Sequence, residues 1–245
     1  MQSTESKNLR FPFAPEIEVS ENLRIHYTLV LQQIAPNLTP DRLKKIESVI
    51  QNRCFDVAVV LESIYDRGNI SAVMRTSEAL GFVNFHVVET QEKFKEANRV
   101  TQGSDKWVET QKWKTTGEAV KNLKAQGYKL AVTTLENARP IGEIDFSEPI
   151  AFVLGNEKEG VSREMIEAAD HRIIIPMQGF VQSFNISVAG ALGLYHIQQD
   201  RLRRLGKFSE LTQEQRDILK AHYCLRTQDS AKDSLKELFT RGHLS

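Results

Sequence analysis

Three segments of the chain hold amides, hydroxyls, glycines and charges at spacings that a solvated linker does not need. The first is Asp66-Arg67-Gly68-Asn69-Ile70-Ser71, which leads into Arg75 and Glu78. Arg75 and Glu78 are three residues apart and share one face of a helix. Taken alone, that pair is no more than an exposed ion pair of small value. The second is Leu154-Gly155-Asn156-Glu157-Lys158-Glu159-Gly160-Val161-Ser162. A glycine directly after an apolar run lets a ligand or another backbone come close. The third runs from Pro176 to Ser187 and combines amide, hydroxyl and aromatic groups with few charges. It feeds a stretch rich in small residues, Ala189, Gly190, Ala191 and Gly193. Each glycine inside a helix costs roughly 1 kcal/mol relative to alanine. Such a cost is accepted where another backbone must approach.

Familiar alternatives are absent. No Gly-x-Gly-x-x-Gly follows the first strand, and no phosphate loop with Gly-Lys-Ser/Thr occurs. Cys54, Cys224 and the six histidines have no zinc-site spacing, so no metal is expected. No Gly-x-Ser-x-Gly nucleophile elbow is present. Residue types and spacing alone lead to a ligand site built from three loops.

These loops need a scaffold, and the surrounding pattern describes one. Residues 1–15 show no period and read as a loose tail, and from Glu16 the pattern turns helical. Thr39 caps a second helix with Pro40 at its first position and Leu43, Ile46, Val49 and Ile50 on one face. Val57–Leu61 is wholly apolar, as a buried parallel strand would be. Helix is predicted for Ser71–Leu80, Gly117–Gln126, Ser162–Ala169 and Val188–Arg204. Strand is predicted for Phe85–Glu89, Trp107–Trp113, Leu130–Leu135, Ile150–Leu154 and Arg172–Ile175. Residues 90–106 read as a long loop, and 212–241 as two amphipathic helices. The alternation implies an α/β domain around a mostly parallel sheet. Such sheets bind ligands beyond the carboxyl ends of their strands, after Leu61, Leu135, Leu154 and Ile175 here. The expected organisation is a tail with helices over 1–53, the α/β domain over 54–205 and a helical extension over 206–245.

Composition bounds the function. The 245 residues are 40% hydrophobic and 26% charged, with a formal net charge of zero. That suits a core-building protein and argues against a polycation that coats nucleic acid. The ends are mildly basic and the middle mildly acidic, which suits nucleic-acid contacts made by the ends. No apolar run is long enough to span a membrane, and the first ten residues lack a signal-peptide core, so a cytoplasmic location with reduced cysteines is expected.

The three segments together resemble the three motifs of the SpoU/TrmH branch of the SPOUT methyltransferases. The first motif runs from Asn69 through Arg75 and Glu78 to Gly81. The second runs from Phe152 through Gly155, Asn156, Glu157 and Gly160 to Ser162. The third joins Ile175-Pro-Met177 to Ser183-Phe-Asn185-Ile-Ser187-Val-Ala189. They occur in the family's order, and the match covers about residues 40–205. Arg53–Glu62, Gly103–Trp107 and the helical ends resemble its members that act on tRNA guanosine.

The resemblance implies a deep trefoil knot, a homodimer and S-adenosylmethionine as cofactor. It implies methylation of a ribose 2′-hydroxyl, on a D-loop guanosine of tRNA, with ribosomal RNA as the alternative and a non-catalytic RNA-binding protein as a more distant one. Carried over as catalytic are Arg75, with Asn69 bracing its loop, and Glu157, Ser183 and Asn185 lining the site. Cofactor contacts are carried over to Thr133, Gly155, Ile175 and Phe184; the family usually has leucine at the last position. Candidate phosphate contacts are Arg42, Lys44 and Lys45 near one end and Arg201, Arg203, Arg204 and Lys207 near the other. Under this reading Gly190 and Gly193 serve close approach at the knot or dimer contact.

Overall fold

The computed structural model describes residues 9–89, 103–228 and 230–240, and the chain divides into two compact units. One joins Met1–Arg53 to Leu211–Ser245, and the other is Cys54–Glu210. The terminal segments, expected as two separate extensions, thus form one unit. Residues 206–210 stay with the second unit because Phe208 packs edge-on against Phe82, ring centroids 5.2 Å apart.

The N-terminal segment begins as a hairpin rather than a helix. Strand β1 (Glu16–Ser20) pairs antiparallel with β2 (Leu23–His26). The expectation of helix from Glu16 is overturned by a period of two: Ile17, Val19 and Ile25 are buried while Glu16, Glu18 and Arg24 are exposed. Helix starts only at α1 (Tyr27–Ile34). Helix α2 (Pro40–Ile50) opens as predicted, with Thr39 Oγ1 accepting from Arg42 N at 3.3 Å and Pro40 first in the helix. Ile46 and Ile50 are buried, and Leu43 and Val49 lie half-buried beside them.

In the second unit the order is β3 (Cys54–Glu62), α3 (Arg67–Ala79), β4 (Phe82–Val88), β5 (Glu109–Trp113), α4 (Thr116–Ala125), β6 (Lys129–Thr133), β7 (Arg139–Pro140), β8 (Ile150–Leu154), α5 (Arg163–Ala168), β9 (His171–Ile174) and α6 (Ile186–Leu205). The seven strands form one sheet in the order β5-β4-β3-β8-β6-β9-β7, and every pairing is parallel. The α/β reading with a mostly parallel sheet holds. Strand β7 was not predicted; two residues leave no periodic signature. Of the predicted 90–106 loop, residues 90–102 lie outside the described residues, and Ser104–Trp107 is a short 3-10 turn. The chain then returns to the terminal unit as α7 (Gln213–Thr227) and α8 (Ala231–Thr240). A reciprocal Thr212–Gln215 capping box starts α7, and α1 and α2 pack against it.

Alternation along β3 shows why the sheet is covered on both faces. Val57, Val59 and Leu61 join one core cluster with Ile70, Val73 and Met74 of α3 and Leu194 and Ile197 of α6. Ala58 and Val60 join the other, with Ala119 and Leu123 of α4 and Met165 of α5. The glycines of α6 belong to the first cluster. A Cβ on Gly190 would lie 3.0 Å from Val73 Cγ2, and one on Gly193 would lie 2.3 Å from Phe152 Cζ. Both glycines thus face side chains of the same chain, Gly190 those of α3 and β8 and Gly193 that of Phe152 on β8.

The sheet unit also holds a titratable group out of its usual range. Phe55 N donates to Glu210 Oε1 at 2.6 Å. Burial, reinforced by the nearby Asp56 carboxylate, pushes the Glu210 carboxyl from 4.5 up to about 7. The folded state thus binds the extra proton, so stability from this group is complete below about pH 4.5 and is lost as pH rises through about 7. The expected loss is on the order of 3 kcal/mol. Glu210→Gln keeps the acceptor and removes the titration. Its stability gain over the parent in denaturant melts should grow from pH 5 to pH 7.5 and then level off; a gain independent of pH would contradict this assignment.

Candidate active site

The site is built where loops leave the carboxyl ends of β3, β6, β8 and β9. After β3 the chain turns at Ser63, which sits in the left-handed region at φ 53°. Asp66 then caps α3, its Oδ1 accepting from Gly68 N at 2.7 Å. This places Asn69 in the first turn of α3. From there Asn69 Nδ2 donates to Glu157 Oε1 at 2.9 Å, across 88 positions of sequence. Two of the three loops are thereby joined through residues singled out from the sequence.

The loop that carries Glu157 closes on itself. Asn156 and Gly160 exchange backbone hydrogen bonds of 2.8 and 2.9 Å. A Cβ on Gly155 would stand 2.3 Å from Gly160 C and Val161 N. Of the two uses allowed to Gly155, ligand or backbone, the structure shows the second. Asn156 is buried and does most of the holding. Its Oδ1 accepts from Lys158 N at 2.8 Å and Glu159 N at 3.1 Å, and its Nδ2 donates to Ser63 O at 2.6 Å.

Glu62, the last residue of β3, is also buried. Its Oε1 accepts from Thr116 Oγ1 at 2.5 Å and Ser162 Oγ at 2.7 Å, and its Oε2 accepts from Ser162 N at 2.7 Å. Sequence reasoning missed Glu62 as a member of the site, and it named Asn156 in the second motif without giving it a role. The available signal was a carboxylate ending an apolar strand, since a buried charge must find partners.

The remaining predicted residues are less tightly engaged. Thr133 ends β6, is half-buried and donates its hydroxyl to Val153 O at 2.9 Å. Ile175, just past β9, is half-buried against the first core cluster. Phe184 is half-buried, while Ser183 is exposed. Asn185 caps α6: its Oδ1 accepts from Ser187 N at 2.9 Å and Ser187 Oγ at 2.5 Å. In the same loop Phe180 and Val181 are exposed.

Arg75 is not gathered into the Asn69–Glu157 pair. Six positions along α3 correspond to a rise of about 9 Å and a rotation of about 120° around the helix. Its guanidinium is exposed and forms no ion pair among the described residues. It stands as an available cation on the solvent face of a helix whose Ile70, Val73, Met74 and Ser77 are buried.

The basic candidates separate by environment. Arg42, Lys44 and Lys45 are exposed on α2, and Lys207 is exposed after α6. Arg203 is exposed and bonds Asp200; Arg204 bonds Asp200 at 2.8 Å and Asp145 at 3.3 Å. Arg201 is corrected: it is 1% exposed and cannot meet a phosphate. Its Nη1 donates to the carbonyls of Phe146, Ser147 and Glu148, at 2.8, 3.3 and 3.1 Å, and its Nη2 to Asp56 at 3.3 Å. A charge on a helix reads as solvated from sequence, but Arg201 falls on the face that α6 turns to the sheet.

Comparison with known proteins covers the same residues. Residues 56–195 match the model of the SpoU rRNA Methylase family. The chain is 38% identical over 165 residues to the tRNA (guanosine(18)-2'-O)-methyltransferase of Escherichia coli, covering 67% of this chain and 72% of that protein. It is 39% identical over 166 residues to the enzyme of the same name from Thermus thermophilus, covering 67% and 86%. The crystal structure of a TrmH/SpoU tRNA modifying enzyme from A. aeolicus superposes with a TM-score of 0.67 at 32% identity, covering 75% of this chain and 95% of that one.

Proposed function

Because the chain belongs to the SpoU rRNA Methylase family, we infer that it is an S-adenosylmethionine-dependent methyltransferase acting on a guanosine ribose 2′-hydroxyl of tRNA. One observation carries the reading. The family match spans Asn69, Arg75, Glu157, Ser183 and Asn185, and two of these, 88 positions apart, are hydrogen-bonded. The rest of the chain favours tRNA over ribosomal RNA as substrate, since the named tRNA relatives cover most of their own length here.

The donor set fits the cofactor. Half-buried Ile175 and Phe184 offer an apolar wall of the kind adenine needs, with Thr133 and the loop backbone at Gly155 offering polar groups beside it. Bound there, S-adenosylmethionine supplies an electrophilic sulfonium methyl group. The chain's own residues must place the ribose hydroxyl and deal with its proton. Arginine is a poor general base because its pKa exceeds roughly 12. Arg75 therefore acts as a cation that holds the neighbouring phosphate and stabilises negative charge growing on the 2′-oxygen, while phosphate or solvent takes the proton. Asn69 and Glu157 brace the start of its helix, and Ser183 and Asn185 line the site. Orientation of this kind supplies up to roughly 7–11 kcal/mol, more than proton transfer typically does.

Three further elements belong to this reading. The C-terminal part of the sheet unit forms a trefoil knot; in support, β9 enters the sheet between two earlier strands and α6 follows it onto the face held by α3. A second copy of the chain docks on α6, whose Val188, Leu192, Tyr195 and Leu202 are exposed at spacings of four, three and seven along one helix face. RNA phosphates meet Arg42, Lys44 and Lys45 of the terminal unit, Arg203 and Arg204 in the last turn of α6, and Lys207 just after it. An enzyme acting on tRNA works in the cytoplasm under this reading. Among the described residues no helix is long and apolar enough to cross a membrane.

Incubation with methyl-labelled cofactor should label bulk tRNA at a guanosine ribose, mapped by nuclease digestion. Arg75→Ala should reduce incorporation by about 100-fold or more while cofactor affinity changes less than about threefold. Near-normal turnover of that variant would remove Arg75 from the chemistry, and label confined to ribosomal RNA would replace tRNA as substrate. Charge reversal at Lys44 and Lys45 should lower the slope of log affinity against log salt by about two; an unchanged slope would make them ordinary solvated residues. Leu192→Glu should convert a dimer to monomer in sedimentation equilibrium, and a parent protein that is already monomeric would refute the docking of a second copy.

A further inference from the structure

Glu62 carries more than a packing role. At 1% exposure its carboxylate pays a large desolvation cost, yet among the described residues its hydrogen-bond donors are all neutral. A helix–sheet junction could be satisfied by an amide at lower cost. A carboxylate only accepts, so Thr116 Oγ1, Ser162 Oγ and Ser162 N must all point inward in a single arrangement. Ser162 is in turn the cap of α5, its Oγ accepting from Met165 N at 3.2 Å. The far end of the 155–162 loop is thus referenced to residue 62.

The near end is referenced to residue 63, through Asn156 Nδ2 and Ser63 O. Two consecutive residues at the mouth of β3 therefore hold both ends of the loop that presents Glu157. The other partner, Asn69, departs from the same point seven residues after Glu62. Both members of the Asn69–Glu157 pair are measured from one place on one rigid strand.

We propose that Glu62 is a positioning residue for methyl transfer: through Ser162 its carboxylate fixes the loop so that Glu157 meets Asn69 in a single register. This rests on the methyltransferase reading. It assigns Glu62 to the rate of the chemical step and not to cofactor capture, because Gly155 is closed independently by Gly160 and Val161.

The test uses the full-length chain with S-adenosylmethionine and tRNA, well below the melting temperature. Glu62→Gln should lower kcat at least tenfold, with KM for tRNA and Kd for cofactor each within threefold of the parent. Ser162→Ala, which removes one donor and leaves the core intact, should lower kcat at least threefold, and Ser162→Thr should restore it. Hydrogen exchange of amides 156–162 should quicken in the two impaired variants while β3 and β8 stay protected. A kcat within twofold of the parent for Glu62→Gln overturns the proposal, as does a loss that merely tracks the folded fraction. If Glu62→Gln does not fold, Ser162→Ala decides by the same criteria. A parent protein that methylates tRNA alongside unimpaired variants sinks only this proposal; a parent that transfers no methyl group to any RNA sinks the methyltransferase reading and this proposal with it.

Discussion

Burial of a parallel sheet on both faces is the constraint that organises the sheet unit. Strand β3 is interior to the sheet and nearly every side chain along it is buried, so it has no solvent face on which to carry polar function. Apart from Asp56, which pairs with Arg201, its polar side chains appear where the strand ends and its backbone leaves the sheet. Glu62 and Ser63 occupy that position. From this one point the chain turns through a left-handed residue into the cap of α3, and the second loop is tied back to the same two residues. The site is a consequence of where a two-sided hydrophobic strand must stop being hydrophobic.

The same constraint explains the composition of α6. To cover the face that β3 and β8 share with α3, this helix must come close to Phe152, Leu154 and Val73; a side chain at position 193 would collide with the Phe152 ring, and one at 190 would crowd Val73 and Leu154. Its inward side also buries Asp200 and Arg201, which satisfy turns at 146–148 and the Asp56 carboxylate. Its outward side keeps apolar residues exposed. One helix thus carries a packing face and an apolar outer face, and the loop before it contributes Ser183, Phe184 and Asn185 to the site. Substitutions in α6 therefore affect core and site together.

Much of the architecture was legible because period is written into single elements. The wholly apolar run Val57–Leu61 and the Thr39-Pro40 start of α2 correspond to an observed buried strand and an observed helix cap. The hairpin at residues 16–26 was misread because strands of five and four residues with charged outer faces sample too little sequence to separate a period of two from one of 3.6. Two-residue β7 was below any local signal. The three polar loops were found because each departs from the pattern of its flanks. Glu62 escaped notice because its partners lie 54 and 100 positions away, and the role of Asn156 because its bond to Ser63 spans 93.

By itself, then, the amino-acid sequence determined most elements of the sheet unit, a mostly parallel sheet with its helices, which loops hold chemistry, and the resemblance of three motifs to a methyltransferase family. These follow from local periodicity, capping and residue type, which operate over a few positions. Only the tertiary structure decided that Asn69 meets Glu157, that Gly155 serves its own loop, that Arg201 is core and not surface, that the two chain ends form one unit, and that Arg75 stands apart on the open face of α3. Each of these depends on which distant groups are brought within hydrogen-bond or van der Waals distance. That is set by the order of strands in the sheet and the rotation of helices upon it, and neither is encoded in any one segment.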